Sequence, residues 1–193
     1  MRRSSTYVDD FRDHVDGRSA RSALIGAISI AILHPNDQRG GSSMSRTIRY
    51  QGAIIRHDHI LLIKHSEYAS GEDYWVIPGG GREDGETEEE CVEREMMEET
   101  HLNVTVKRLL LDDPGHPDEA YQRLKTYLCI PMAGEAYPGY EPESEAAEQY
   151  AITEIGWFDL RDETTWGAKV VTDPFTYPLL QRIRTVLGYS MAQ

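Results

Sequence analysis

The sequence predicts an α/β (α+β) fold, a mixed β-sheet with helices packed on it. Three observations predict it: an alternating apolar hairpin, a helix introduced by a glycine loop, and later strand-like runs that end in a second amphipathic helix. A hairpin forces antiparallel pairing and an intervening helix permits a crossover, so the order of elements argues for a sheet of mixed direction.

Residues 1–45 read differently from the remainder and are expected to be an N-terminal extension, flexible or the product of a start assigned too early, with Met44 as the true initiator. Arg2, Arg3, Ser4 and Ser5 open this stretch, and the cluster Arg39, Gly40, Gly41, Ser42 and Ser43 closes it as a linker. Between them Ala23–Leu33 is an apolar run of 11 residues behind Arg18 and Arg21. That length would suit a signal-peptide core but is too short to span a bilayer, and it begins late for a signal. The expectation is a cytoplasmic protein without membrane contact, whose chemistry lies in residues 46–193.

From Thr47 the pattern is regular. Ile48, Tyr50, Ala53, Ile54 and Ile55, a turn at His57–His59, and Ile60–Ile63 predict a β-hairpin. Tyr74–Ile77 is a short strand broken by Pro78 and the run Gly79, Gly80, Gly81. A helix should begin near Thr87, because Thr87 and Glu90 have the spacing of a capping box. Strands follow at Val104–Leu111, Leu124–Ile130 and Ile152–Phe158, with a last helix over Tyr177–Leu187.

The 193 residues are 39% hydrophobic and 27% charged, which suits one core. A net charge of -13 argues against binding long DNA or RNA through a basic patch. It does not exclude a small phosphorylated ligand, since acids that hold divalent cations present a positive local charge. Cys91 and Cys129 lack zinc-type spacing and are expected to be reduced core thiols.

The informative segment runs GGREDGETEEECVEREMMEETHL from Gly80 to Leu102. Glu95, Glu98 and Glu99 stand at i, i+3 and i+4, so their carboxylates share a helix face and can converge on one point. Like charges so placed repel, and a hard divalent cation with oxygen ligands is the natural compensation: Mg2+, with Mn2+ as an alternative. Glu86, at the loop end of the helix, could fold back to the same cluster. Gly79, Gly80 and Gly81 let the backbone approach a pyrophosphate closely, which makes them candidate substrate-binding residues. Arg94 is expected to lock a neighbouring carboxylate by a bidentate pair.

Gly80, five residues, Glu86, seven residues, then Arg94, Glu95, Met96, one residue, Glu98 and Glu99 resembles the Nudix box. The stretches Tyr74–Gly80 and Glu154–Phe158 are similar to the strands that bracket the box, and the resemblance covers roughly residues 47–187. It implies a Nudix-like mixed β-sheet sandwiched between helices. It also implies magnesium-dependent hydrolysis of a phosphoanhydride bond in a nucleoside diphosphate linked to another group: ADP-ribose, a nucleotide sugar, a dinucleoside polyphosphate or a modified NTP. On that basis Glu95, Glu98 and Glu99 bind the metal with Glu86 as auxiliary ligand, and Arg94 belongs to the catalytic set. Glu95 or a glutamate of the acidic stretch Glu141–Glu148 is the candidate base. The resemblance also allows a homodimer, as many relatives dimerise. The alternative function is a catalytically silent nucleotide-binding or regulatory module on the same fold.

One position departs from the box, since His101 stands where the family has a helix-ending glycine. Its conformation should be left-handed, which His adopts at a cost of about 1 kcal/mol. The bland readings are a solvated acidic face for Glu88, Glu89, Glu90 and Glu93, core contacts for Val92 and Met96, and surface decoration for His57, His59 and His65. Tyr74, Trp75 and Tyr121 could stack on a base but more often belong to a core. Pro117 resembles a proline of members acting on ADP-ribose, and Tyr121 weakly resembles a tyrosine of dinucleoside polyphosphate hydrolases.

Overall fold

A computed structural model describes residues 47–115, 121–141 and 147–189. The expected extension 1–45 and Pro117 lie outside the described residues, as does most of the acidic stretch after Glu141. Seven strands form a mixed sheet, as the sequence predicted. β1 (Ile48–Arg56) and β2 (His59–Glu67) make the hairpin. Its turn has only two residues, His57 and Asp58, both left-handed with φ of 49° and 63°, the conformation that matches the twist of the two strands.

β3 (Asp73–Val76) pairs with β2, and Pro78 ends that run. The glycines that follow are not a loop. Gly79–Gly81 is a three-residue strand, β4, antiparallel to β1 with Gly80 opposite Tyr50. Glycine has low strand propensity, so only the partner strand reveals this element. α1 (Glu88–Thr100) then leads to β5 (Asn103–Pro114) and β6 (Arg123–Ala133), an antiparallel pair. β6 runs parallel to β1 from Ile48 to Ile54, and β7 (Tyr150–Asp159) pairs with β2. A 3-10 turn (Glu163–Thr165) and α2 (Ala168–Val171), neither expected from the sequence, precede α3 (Thr176–Leu187).

Strand alternation divides the core in two. Tyr50, Ile54, Leu61 and Ile63 pack with Cys91, Val92 and Met96 of α1. Ala53, Ile60 and Leu62 point to the other face and pack with Val170, Leu180 and Ile183 of α2 and α3. Successive strand residues face opposite ways, so β1 and β2, apolar at both phases, must be covered on both sides. The sheet is therefore sandwiched between helices. Trp75, 9% exposed, belongs to the second core rather than to a binding surface.

Candidate active site

The helix that carries the carboxylates is defined at both ends. At its start the capping box forms in full: the Glu90 amide donates to Thr87 Oγ1 at 3.2 Å and the Thr87 amide donates to Glu90 Oε2 at 2.8 Å. At its end His101 takes φ 58° and ψ 20° and donates its amide to the Met97 carbonyl. The chain after β6 returns to this end. The amides of Tyr137, Gly139 and Tyr140 donate to the carbonyls of Thr100, Glu99 and Glu98 at 3.2, 2.9 and 3.1 Å, satisfying acceptors that a helix terminus leaves open. The His101 ring stacks on Tyr137 with centroids 3.8 Å apart. A histidine thus occupies the glycine position with a left-handed cap and a side-chain contact that glycine lacks.

The predicted site residues are brought together in two groups. Arg94 collects the first: its Nε donates to Glu86 Oε1 at 2.7 Å, its Nη1 to Glu95 Oε1 at 2.9 Å and Glu98 Oε2 at 2.8 Å, and its Nη2 to the Gly81 carbonyl at 3.0 Å. It locks three carboxylates and the glycine strand, more than the single partner expected. Glu99 forms the second group. Only 1% exposed, it accepts from the Gly79 amide at 2.6 Å. Gly80 faces Glu95 so closely that a Cβ there would lie 2.4 Å from Glu95 Oε1. Gly79 thus meets a carboxylate through its amide and Gly81 meets Arg94 through its carbonyl, while the missing side chain of Gly80 is what admits Glu95 beneath the strand.

The electrostatics follow from burial. Burial pushes the Glu95 carboxyl up to about 7 although Arg94 and Arg49 oppose the shift, and burial raises Glu99 further against the pull of Arg49. Hydrogen bonds from Arg94 keep Glu86 below its usual range. Burial raises Cys91 and Cys129 to about 12, consistent with reduced core thiols. Glu95 and Glu98 meet at one Arg94 nitrogen, while Glu99 turns to the Gly79 amide. The donor set fits a hard divalent cation: it is all carboxylate oxygen, and burial raises Glu95 and Glu99 against the pull of Arg94 and Arg49, a shift that a nearby cation would oppose further.

Two bland readings require correction. Glu88 is not simply solvated: Lys125 Nζ donates to both its carboxylate oxygens at 2.5 and 2.7 Å and Tyr127 donates its hydroxyl. His65 is not surface decoration but a buried residue of β2, 4% exposed and stacked on Tyr150 with centroids 4.1 Å apart. Sequence reasoning also missed Arg49 and Tyr150. The Tyr150 hydroxyl donates to Glu141 Oε2 at 2.6 Å, and the Arg49 guanidinium acts electrostatically on Glu99, Glu95 and His65. These residues come from β1, β2, β7 and the approach to β7, and no spacing in the sequence links them.

A carboxylate helix capped at both ends, lying under a glycine strand in a helix-covered mixed sheet, defines a class of site suited to cations and phosphates. The family model described as the NUDIX domain matches residues 47–175, and the chain belongs to that family. The NAD-capped RNA hydrolase NudC of Vibrio vulnificus is 35% identical over 95 residues, 49% of this chain and 34% of NudC. YjhB of Bacillus subtilis, provisionally named an ADP-ribose pyrophosphatase, is 31% identical over 101 residues, 50% of this chain and 47% of YjhB. The match thus spans less than half the length of either relative. A NUDIX hydrolase from Nitrosomonas europaea has the same fold at 17% identity, with a TM-score of 0.56 over 75% of this chain and 74% of its own.

Proposed function

We propose that this chain hydrolyses a phosphoanhydride bond in a nucleoside diphosphate joined to another group, with Mg2+, or Mn2+ in its place, as cofactor. The observation that carries this reading is the seating of the Glu95 and Glu99 carboxylates against the backbone of Gly79 and Gly80, where a diphosphate can approach main chain and carboxylates together. Glu95, Glu98 and Glu99 hold the cation, and Glu86 serves as auxiliary ligand. A bound cation would offset charge on the phosphate oxygens and acidify the attacking water.

The residues of the chain supply the rest. Arg94 positions Glu86, Glu95 and Glu98 and must share them with the cation, so its role is to set their rotamers. Glu95 or Glu141 accepts the proton of the attacking water. Glu141 is the one residue of the acidic stretch whose placement supports such a role, since its charge acts on Glu99. NudC and YjhB are named for substrates that share an ADP unit bonded to ribose, which supports ADP-ribose or a related dinucleotide here. The net charge of -13 weighs against a long RNA chain as substrate. Residues 46–193 form the catalytic domain, and the protein works in the cytoplasm, as a homodimer if light scattering gives twice the chain mass. Among the described residues no helix is long and apolar enough to cross a membrane.

The test is product release from ADP-ribose, NADH, nucleotide sugars, diadenosine polyphosphates and oxidised dNTPs, with magnesium and with chelator. Glu98→Gln should lower magnesium-dependent turnover roughly 100-fold or more. A folded wild-type chain that binds magnesium and turns over none of them would indicate a silent binding module instead.

A further inference from the structure

The chain that leaves β6 is held against the end of α1 by two anchors, one of main chain and one of side chain. Gly134 follows β6 with φ 101°, and its carbonyl accepts Arg56 Nη2 at 3.1 Å. Tyr137, Gly139 and Tyr140 then donate their amides to the last carbonyls of α1. Gly139 lies so close that a Cβ there would sit 1.8 Å from the Glu98 carbonyl oxygen. Glu141 is therefore one residue beyond an amide bonded to Glu98, at the end of the carboxylate helix. The second anchor is Tyr150, the first residue of β7, whose hydroxyl donates to Glu141 Oε2 at 2.6 Å. Its ring stacks on the buried His65 with centroids 4.1 Å apart, and His65 meets Tyr74 edge-on at 5.4 Å. Phenylalanine would serve that stack equally well, so packing gives no reason for the Tyr150 hydroxyl.

We infer that Tyr150 is a positioning residue: it aims the Glu141 carboxylate at the water that attacks phosphorus, and so makes Glu141 rather than Glu95 the proton acceptor. The assignment rests on the hydrolase reading above. Glu95 is seated beneath Gly80 and bonded to Arg94, and a carboxylate shared between a guanidinium and a cation is a weak base. Glu141 takes its hydrogen bond from a neutral phenol instead, which fixes the rotamer without cancelling the charge. Burial and the Glu141 charge hold the Tyr150 hydroxyl well above its usual range, so it stays protonated and remains a donor. In the reaction the water oxygen bonds to phosphorus and its proton passes to the Glu141 carboxylate. The bridging P–O bond breaks, and its electron pair departs on the leaving phosphate. The His65 stack keeps the phenol ring from turning away, so the aim of Glu141 is set by β2 and β7 while α1 sets the other carboxylates.

Steady-state turnover of the panel substrates with magnesium, in Tyr150→Phe, Glu141→Gln and the double variant, tests the assignment, with thermal melting to confirm that each is folded. Glu141→Gln should lower kcat roughly 100-fold or more. Tyr150→Phe keeps the ring stack and loses only the hydroxyl, and should lower kcat about tenfold with KM within about twofold of wild type. The double variant should be no slower than Glu141→Gln, because Tyr150 acts only through Glu141. Hydrogen exchange at the Tyr140 and Glu141 amides should also speed about tenfold in Tyr150→Phe, with or without substrate. Losses that multiply in the double variant, a Tyr150→Phe effect on KM instead of kcat, or unchanged exchange would overturn the assignment. Turnover that Glu141→Gln leaves intact sinks it alone and returns the proton to Glu95. No turnover by folded wild type sinks the hydrolase reading and the role of Glu141 with it, even where exchange shows that Tyr150 holds that residue in place.

Discussion

At Gly80 a single missing carbon decides the geometry of the site. A Cβ would sit 2.4 Å from Glu95 Oε1 and 2.7 Å from its Cδ, closer than real contacts allow. Glu95 is 4% exposed and tied to Arg94, so it has little room to move aside. Gly80→Ala should therefore displace the carboxylate and lower turnover by at least tenfold. It should cost only about 1–3 kcal/mol of stability, the usual range for overpacking by a methyl group. Steady-state kinetics beside urea unfolding checks both, and unchanged turnover would mean that Glu95 has no required position. Arg94 shows the same dependence on neighbours. Its identity and its acidic flanks are visible in the sequence, but that it holds three carboxylates at once follows from Glu86 folding back across the helix start.

The helix α1 was legible almost to the residue. Thr87 and Glu90 marked its start, and His101 sits in the left-handed conformation expected of it. The sequence could not show what stands against its end, where the amides of Tyr137, Gly139 and Tyr140 close the last carbonyls. Glycine at position 101 would relieve about 1 kcal/mol of backbone strain and lose a ring stack worth about 0.5–1.5 kcal/mol. His101→Gly should thus change global stability by less than about 1 kcal/mol, because the two effects oppose each other. It should still speed hydrogen exchange at the Tyr137, Gly139 and Tyr140 amides, since the stack pins that segment. Unchanged exchange there would show that the stack does not hold it. The strand β4 makes the complementary point: three glycines carry no strand signal, and only pairing with β1 makes them one.

For the whole molecule, acid stability is set by groups that pull in opposite directions. Burial, helped by Arg49, pushes His65 down to about 3, whereas an unfolded histidine takes its proton near pH 6.5. Between those values the unfolded state binds the extra proton. His65 therefore lowers stability as pH falls through the window, by up to about 1.4 kcal/mol per unit. Glu95 acts the other way. Its folded value of about 7 lies above that of an unfolded glutamate, so the folded state takes the proton first and gains stability as pH falls toward about 4.3. Glu99, also raised by burial, acts in the same direction as Glu95. His65→Phe keeps a ring between Tyr74 and Tyr150 and removes only the first effect. In metal-free buffer its stability should rise relative to wild type between pH 7 and pH 5, read from urea midpoints at each pH. Parallel pH profiles would show that His65 is not held neutral.

The sequence by itself determined the local elements and the chemistry of one helix. Hydrophobic period, capping pairs and charge spacing are properties of neighbours along the chain, and they were enough to place every strand but β4, the helix α1 with its carboxylates Glu95, Glu98 and Glu99, the nearby Glu86, and the family. Only the tertiary structure decided that Glu99 turns to the Gly79 amide while the others gather on Arg94. It alone placed Glu88 under Lys125 and Tyr127, and Arg49, His65, Tyr150 and Glu141 around the site. Those residues are joined by strand pairing between β1, β2, β4 and β7, and register between strands distant in sequence is set by burial of both sheet faces, which no local spacing records.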